Sequence, residues 1–541
     1  MNVKIITIRN QGFCWHHRGG DHAKGYLFDR SESCRRGEAI LDYFATITDA
    51  ERFRDRLREA NGVFAVILED DRFVFAAVDP VRSIPLFYAM KGHDLVLGDD
   101  ARAIQQELGG KETDSIAREE LLRVGYTVGP TTLDPRIKQI EAGELLVHDK
   151  ATAQSSTRIY FSHAHGDYTD KGEDMLLEEL EQIYTRLTRR LIDSVQGRTI
   201  VVPLSGGYDS RSIVCWLKRA GCSNVICYSY GVPASFEHQI ARKVAAQLGY
   251  PIHIVDYSPS RWQALLESPR FSNFCRFTSQ QCAVPCIQEL PAIETLTRQE
   301  VIPSDSVIVP GYGGDVLGGH WIPSAVNDYK PEKVLAEGID RYLLRTQFEL
   351  RRSPLAPETA HAFCSRINAF TSRFKSDDIE SFCSLVEDWV IRNRDAKFIL
   401  NTVRTHELFD HEWRLPLWDT ELASWWHRIR LHFRTNRVLY NRFLFERLFE
   451  PMQVPFRKPA SSATQRVFNQ MSQNRLLAGA IPVARALYRI TIKQFRPTPV
   501  DVDGFNDLSE LLLERLPHEW CVRDFSHVHG TVGAWCLAHD L

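Results

Sequence analysis

The stretch Val201-Val202-Pro203-Leu204-Ser205-Gly206-Gly207-Tyr208-Asp209-Ser210-Arg211-Ser212 decides the fold. It opens inside an apolar run, Thr199-Ile200-Val201-Val202-Pro203-Leu204, the pattern of a buried strand. A Ser-Gly-Gly turn follows, and a helical stretch from Ser210 to Ala220 comes directly after it. Glycines let the backbone approach an anion closely, and successive N–H groups at a helix N-terminus bind one. Ser205 and Ser210 add hydroxyl donors. Asp209 sets a carboxylate beside that anion, which suits Mg2+. No G-x-x-x-x-G-K-[ST] is present, so this is not a Walker loop.

Outward from this turn the order is strand, helix, strand, helix, strand. Glu173 to Ser194 carries Leu176, Leu177, Leu180, Ile183, Leu187 and Leu191 at helical spacing. Val225 to Tyr230 and Ile252 to Val255 are short apolar strands, with the helical stretch Glu237 to Leu248 between them. That alternation predicts an α/β doubly wound parallel sheet. After about residue 320 the chain reads as mostly helical and rich in Arg, Trp and Phe. Before it, the pattern is different. Val63 to Leu68 and Phe73 to Val78 flank the polar Glu69-Asp70-Asp71-Arg72, a hairpin signal, and Leu95-Val96-Leu97 follows a second turn at Lys91 to Asp94. The first part is therefore expected to be an α+β layered domain of antiparallel sheets. Domains are expected at 1–155 and 170–541, joined by a Ser-, Thr-, Gly- and Asp-rich linker between Lys150 and Asp174.

The length of 541 residues suggests two to four domains. Hydrophobic residues make up 44% and charged residues 25%, the balance of a soluble globular protein. A net charge of −3 provides no field favouring nucleic acid or anionic membrane. No apolar run reaches the ~18 residues of a membrane span. Ile5-Ile6-Thr7-Ile8 is too short for the core of a signal peptide, so a cytoplasmic location is expected. Twelve cysteines are scattered, and the cluster Cys275, Cys282 and Cys286 fits no zinc or iron–sulfur spacing, which reads as free thiols.

The Ser205 to Ser210 turn resembles the Ser-Gly-Gly-x-Asp-Ser pyrophosphate loop of the N-type ATP pyrophosphatases. That family cuts ATP between its α and β phosphates and leaves AMP on the substrate. A second stretch, Gly311-Tyr312-Gly313-Gly314-Asp315-Val316-Leu317-Gly318-Gly319, follows the strand Ser306 to Val309 and looks like the second magnesium loop of asparagine synthetases. The resemblance implies ATP and Mg2+, with Ser205, Gly206, Gly207, Asp209, Ser210, Gly311 and Gly313 at the nucleotide and Asp209 and Asp315 as metal carboxylates. Glu412-Trp413-Arg414-Leu415-Pro416-Leu417-Trp418-Asp419 resembles the family's Glu-x-Arg-x-Pro-Phe-Leu-Asp segment and nominates Arg414 as a catalytic residue. Lys458, after the helical stretch Tyr440 to Phe449, falls where the family sets a lysine at the phosphates; alone it reads as a solvated lysine, and the resemblance sets the catalytic reading level with that one. Asn61-Gly62-Val63-Phe64-Ala65 and Asp79 to Tyr88 look like segments of the family's Ntn-hydrolase-like, class II glutamine amidotransferase domain.

Two departures matter. A glutaminase of this type uses an N-terminal Cys, whose thiol attacks with the α-amine as base. Here Asn2 stands in its place and Cys14 is the only early cysteine, so a degenerate glutaminase is expected. Nitrogen then comes from free ammonia, a separate ammonia source or an amine on the substrate. The second departure is Tyr312, where asparagine synthetases have Glu and β-lactam synthetases have Tyr. Its phenol either assists proton removal, with Glu349 or Glu407 as partner carboxylate, or packs against the substrate. The expected function is an AMP-forming ligase that joins a carboxylate substrate to an amine or ammonia. Alternatives are amidation of a sugar acid in surface polysaccharide biosynthesis, amide closure as in lasso cyclases and β-lactam synthetases, and an inactive nucleotide-binding scaffold. A tRNA-modifying pyrophosphatase is disfavoured by the near-neutral charge and the lack of a Cys-x-x-Cys pair. Neither nucleic acid nor membrane is an expected partner.

Overall fold

The computed structural model describes residues 2–233, 235–323, 326, 331–372, 378–457, 504–516 and 524–540. Residues 2–161 build four layers. Strands β1 (Val3–Ile6), β7 (Phe87–Lys91), β8 (Asp94–Gly98) and β9 (Lys138–Gln139) form one sheet in the order β1-β8-β7-β9. The other contains β2 (His16–Arg18), β3 (Asp21–Phe28), β4 (Cys34–Arg36), β5 (Asn61–Glu69), β6 (Phe73–Val78), β10 (Glu144–Asp149) and β11 (Gln154–Ile159), in the order β11-β10-β6-β5-β3-β2 with β4 on β3. The hairpins β5–β6 and β7–β8 are antiparallel, as the alternation of apolar runs and turns predicts. One pairing departs from the expected antiparallel sheets: β1 runs parallel to β8, Val3 opposite Leu95 through Ile6 opposite Gly98. Parallel partners need no tight turn between them, so local turn chemistry carries no signal of this pairing.

Val63 to Leu68 is apolar without alternation because both faces of β5 are covered. Ala65 and Ile67 face Leu95, Leu97 and Ile140 between the sheets. Phe64, Val66 and Leu68 face Ile40, Phe44, Phe53 and Leu57 of the helices Glu38–Phe44 and Ala50–Glu59.

The second unit is a five-stranded sheet of β12 (Ile200–Pro203), β13 (Val225–Gly231), β14 (Ile252–Asp256), β15 (Val307–Ile308) and β16 (Glu412–Trp413), in the order β14-β13-β12-β15-β16. Every pair is parallel. The chain winds from β12 outward through β13 to β14, then returns to the opposite side of β12 with β15. The C-terminal ends of β12 and β15 thus flank a topological switch point, where the diverging loops open a crevice. The helix Glu173–Val195 buries all six predicted apolar residues, Leu176, Leu177, Leu180, Ile183, Leu187 and Leu191. It ends at Gln196, in the left-handed conformation.

Strand β16, in the region read as helical, is two residues long, too short to show any periodicity. The rest of that region is helical and includes a π-helical stretch, Val390–Ile399. The helices Phe505–Leu513 and Val528–Ala538 bury Leu508, Leu512 and Val532 in the same apolar cluster as Trp262, Phe274 and Ile293.

The two units share one continuous apolar cluster, in which Phe13, Tyr26 and Phe28 join Leu187, Leu191, Trp413 and Trp418. Buried charge crosses the same boundary. Lys24 Nζ lies 2.9 Å from Glu407 Oε1, with 1% and 0% of the two side chains exposed. Glu407 also pairs with Arg404. No described helix is long and apolar enough to cross a membrane.

Candidate active site

The loop after β12 folds on itself. Ser205 Oγ accepts the Gly207 N–H at 3.0 Å, and Ser210 Oγ accepts the Ser205 N–H at 3.2 Å. Arg211 braces it from behind, donating from Nη2 to Gly206 O at 3.0 Å and from Nη1 to Val454 O at 3.1 Å. The Gly206 N–H donates to the carboxylate of Glu237. The turn thus already holds an anionic oxygen on one amide, the behaviour expected of consecutive N–H groups at a helix start.

The loop after β15 is pressed against it. A Cβ on Gly311 would lie 2.5 Å from the Ser210 nitrogen, closer than any side chain tolerates. Gly313 has φ +109° and faces the Trp418 ring, where a Cβ would come within 2.6 Å. This approach brings the two predicted carboxylates together: Asp209 Oδ2 accepts the Asp315 N–H at 3.0 Å, and Oδ1 accepts the Tyr440 hydroxyl at 2.7 Å. Burial, and then repulsion from Asp315, push the Asp209 carboxyl up to about 7. Arg437 Nη1 lies 3.6 Å from Asp315 Oδ2. Asn436 and Arg437 both adopt positive φ, 54° and 59°, a strained bend that aims Arg437 into the site. Two carboxylates facing one space, with hard oxygens and spare lone pairs, fit a divalent cation such as Mg2+, which would relieve their repulsion. Among the described residues no group of three or more His, Cys, Asp or Glu forms a closed metal cage. The remaining coordination sites would fall to water and phosphate oxygens, as is usual for Mg2+.

These groups line an open cavity of about 760 Å3. Arg437 and Arg457 stand on its walls with Ser205, Asp209 and Asp315. Tyr228, Tyr230, Glu289 and Tyr312 also face it. Burial first, and then Glu289, push the Tyr312 phenol well above its ordinary value, and Thr402 shares a hydrogen bond with it.

Of the residues predicted from sequence, Ser205, Gly207, Asp209, Ser210, Gly311, Tyr312 and Asp315 line this one cavity. Gly206 and Gly313 shape its loops. Arg414 does not belong to it. Its side chain is buried between the domains, bonding Ser194 Oγ at 2.8 Å and Glu412 at 2.8 Å and lying 4.3 Å from the Tyr26 ring centre. The Glu-x-Arg-x-Pro segment places it just after β16, at the sheet edge, where it ties the domains and lies off the cavity wall. The partner carboxylates proposed for Tyr312 are also misplaced. Glu407 is sealed against Lys24 and Arg404, and Glu349 is exposed. The carboxylate beside Tyr312 is Glu289. Neither Glu289 nor Arg437 stands in any motif, so spacing carried no signal for them. Lys458 lies outside the described residues.

In the first domain, Cys14 is exposed, with its thiol 3.4 Å from Asn10 O. The Asn61 carboxamide is committed to the second domain: Nδ2 donates to Asp419 at 3.0 Å and Oδ1 accepts from Thr420 at 3.0 Å. The space around Asn61, Tyr26 and Arg414 is about 30 Å3, room for a water and little else.

A family model described as a glutamine amidotransferase domain matches residues 17–161, and one described as asparagine synthase matches residues 186–317. "Asparagine synthetase [glutamine-hydrolyzing] 1" of Bacillus subtilis is 24% identical over 328 residues, covering 60% of this chain and 48% of that protein. "Asparagine synthetase [glutamine-hydrolyzing] 3" of the same organism is 26% identical over 195 residues, covering 35% of this chain and 30% of that protein. The chain thus spans about half or less of the length of the curated relatives it matches. Among solved structures, the NH3-dependent NAD synthetase of Campylobacter jejuni aligns with 38% of this chain and 98% of its own at 17% identity, with a TM-score of only 0.21.

Proposed function

The chain belongs to the asparagine synthetase family, and from that premise we propose that it is an ATP-dependent carbon–nitrogen ligase that activates a carboxylate as an acyl-AMP. One contact carries the reading: the Asp315 N–H on Asp209, 106 residues apart, which joins both glycine loops around one cavity. The turn from Ser205 to Ser210 cradles the β and γ phosphates. Mg2+ held by Asp209 and Asp315 would neutralise charge on the departing pyrophosphate. Arg437 and Arg457 stabilise the negative charge that develops there. A carboxylate oxygen attacks the α-phosphorus and pyrophosphate leaves. The amine nitrogen then attacks the acyl carbon, AMP leaves on its phosphate oxygen, and the amine loses a proton.

The first domain, on this reading, hydrolyses no glutamine. Cys14, the early thiol, supports that: it has the Asn10 carbonyl oxygen beside it at 3.4 Å, where a nucleophile of this type would meet an amine. Nitrogen comes from free ammonia, another enzyme or an amine on the substrate. The test is product analysis of the full chain with ATP and MgCl2, using L-aspartate and D-glucuronate as carboxylates and ammonium chloride as donor. AMP and pyrophosphate are expected. ADP and phosphate refute the reading, and bound but unconsumed ATP with every carboxylate favours the scaffold alternative.

A further inference from the structure

One segment reaches both glycine loops from outside. Arg434, Arg437 and Tyr440 recur at every third residue, across the positive-φ bend at Asn436 and Arg437. Arg434 donates from Nε at 3.2 Å and from Nη2 at 2.9 Å to Leu317 O, at the end of the short helix Gly314–Leu317. It is fastened in turn by Glu387, whose Oε1 lies 2.8 Å from Nη2. Arg437 lies at Asp315. Tyr440, on the helix Val438–Leu444, donates its hydroxyl to Asp209 Oδ1 at 2.7 Å.

The two loops close on Tyr440. Asp209 takes the Asp315 N–H on Oδ2 and the Tyr440 hydroxyl on Oδ1, so both oxygens are held at once and each keeps a lone pair. The helix that carries Asp315 lies on the same side chain. A Cβ on Gly314 would overlap the Tyr440 hydroxyl, and one on Gly318 would lie 2.9 Å from Tyr440 Cβ. Gly318 has an ordinary helical φ of −67°, so its missing side chain serves to admit the ring, not to permit a strained backbone. Trp426 packs against that ring with 6.2 Å between centres, and 1% of Tyr440 is exposed.

We propose that Tyr440 is a positioning residue for the divalent cation: its hydroxyl orients the Asp209 carboxylate, and its ring sets how far the Asp315 helix stands from it. The inference rests on the reading of Asp209 and Asp315 as Mg2+ carboxylates and deepens it by naming the group that fixes their spacing. A carboxylate free to rotate offers its lone pairs to a cation for part of the time, whereas one pinned on both oxygens offers them continuously. Mg2+ demands near-ideal octahedral geometry and tolerates misplaced ligands poorly. Hydrogen bonds behind metal ligands are worth about 10–100-fold in metal affinity.

The test uses the full chain with α,β-methylene-ATP, which resists cleavage between its α and β phosphates, so binding is read without turnover. Calorimetry gives its affinity at a series of free Mg2+ concentrations and constant ionic strength. The readout is the Mg2+ concentration that gives half of the full gain in affinity. Tyr440→Phe deletes one hydroxyl and keeps the ring; it should raise that midpoint about tenfold or more. High Mg2+ should then restore the wild-type affinity, as mass action requires of a weakened metal site. Gly318→Ala leaves the hydroxyl in place and pushes the ring from the other side, and it should shift the midpoint in the same direction. Melting curves without Mg2+ report that each variant has folded, and either one alone carries the test. An unchanged midpoint overturns the proposal. So does a loss of affinity that Mg2+ does not restore, the mark of a collapsed loop rather than a misplaced carboxylate. Wild type that binds the analogue with no dependence on Mg2+ refutes the metal reading itself, so the two failures are distinct.

Discussion

Glu407→Gln is the sharpest test of how the domains are held together. Glu407 is fully buried between Lys24 and Arg404, and the Lys24 ammonium also donates to Arg9 O at 2.7 Å. Burial pushes the Glu407 carboxyl up, but Arg404 and Lys24 more than offset this and hold it below the usual carboxylate value. Removing the carboxylate charge takes the paired counter-charge from two buried cations and leaves them only the Asp99 and Asp79 carboxylates beyond ion-pair distance, in a place from which water is excluded. Breaking a buried pair in this way costs about 3–5 kcal/mol. The unfolding entropy of about 2.1 cal/mol/K per residue converts that cost to temperature. If all 541 residues melt as one unit, the midpoint falls by about 3–4 °C. If the first domain of about 160 residues melts alone, its transition falls by roughly 9–15 °C. Scanning calorimetry therefore reads both the size of the loss and the cooperative unit. Lys24→Met should cost less, because Glu407 keeps Arg404, and the double variant should lose less than the sum of the two. A shift under about 1 °C for Glu407→Gln would show that water or a rearranged neighbour satisfies the cations, and the picture of a sealed charge seam would fail.

Asp209→Asn and Asp315→Asn should each abolish pyrophosphate release while leaving the thermal midpoint within about 1 °C or higher, because each removes repulsion between the two carboxylates; wild-type turnover at limiting Mg2+ in either variant refutes the metal assignment. Gly311→Ala should eliminate ATP binding, measured by calorimetry, since its Cβ would meet the Ser210 nitrogen at 2.5 Å and force the loops apart; unchanged affinity would show that the loops need not touch. Burial pushes Glu120 up to about 7 despite Arg366. A raised carboxyl contributes stability present below its unfolded value and lost as pH rises toward the folded one. The midpoint of Glu120→Gln minus that of wild type should therefore increase between pH 5 and pH 8, and a constant difference contradicts the assignment. Incubation with glutamine, with and without ATP and MgCl2, should release no glutamate; release that disappears in Cys14→Ala would restore an ordinary glutamine-dependent enzyme.

The glycine-loop half of the cavity was legible because its backbone geometry is local. Ser205 to Ser210 follows one strand and opens one helix, so a dozen consecutive residues specify the geometry of the turn. Gly311 to Asp315 does the same after β15. Strand and helix periods likewise identified the parallel sheet and the β5–β6 hairpin, since both depend on near neighbours. The other half depends on side chains that meet only in the folded chain. Glu289, Tyr228 and His406 come from a helix start, a strand and a distant helix, and no spacing in the chain links them. Arg414 shows the converse. Its motif is local, yet whether a buried guanidinium faces a cavity or seals an interface depends on what packs against it, here Tyr26 and Ser194. The parallel pairing of β1 with β8 is of the same kind, a contact across 92 residues with no turn to announce it. Local backbone chemistry is determined by the sequence alone, whereas the cavity wall formed by Tyr228, Glu289 and Tyr312 arises from long-range packing and only the tertiary structure decides it.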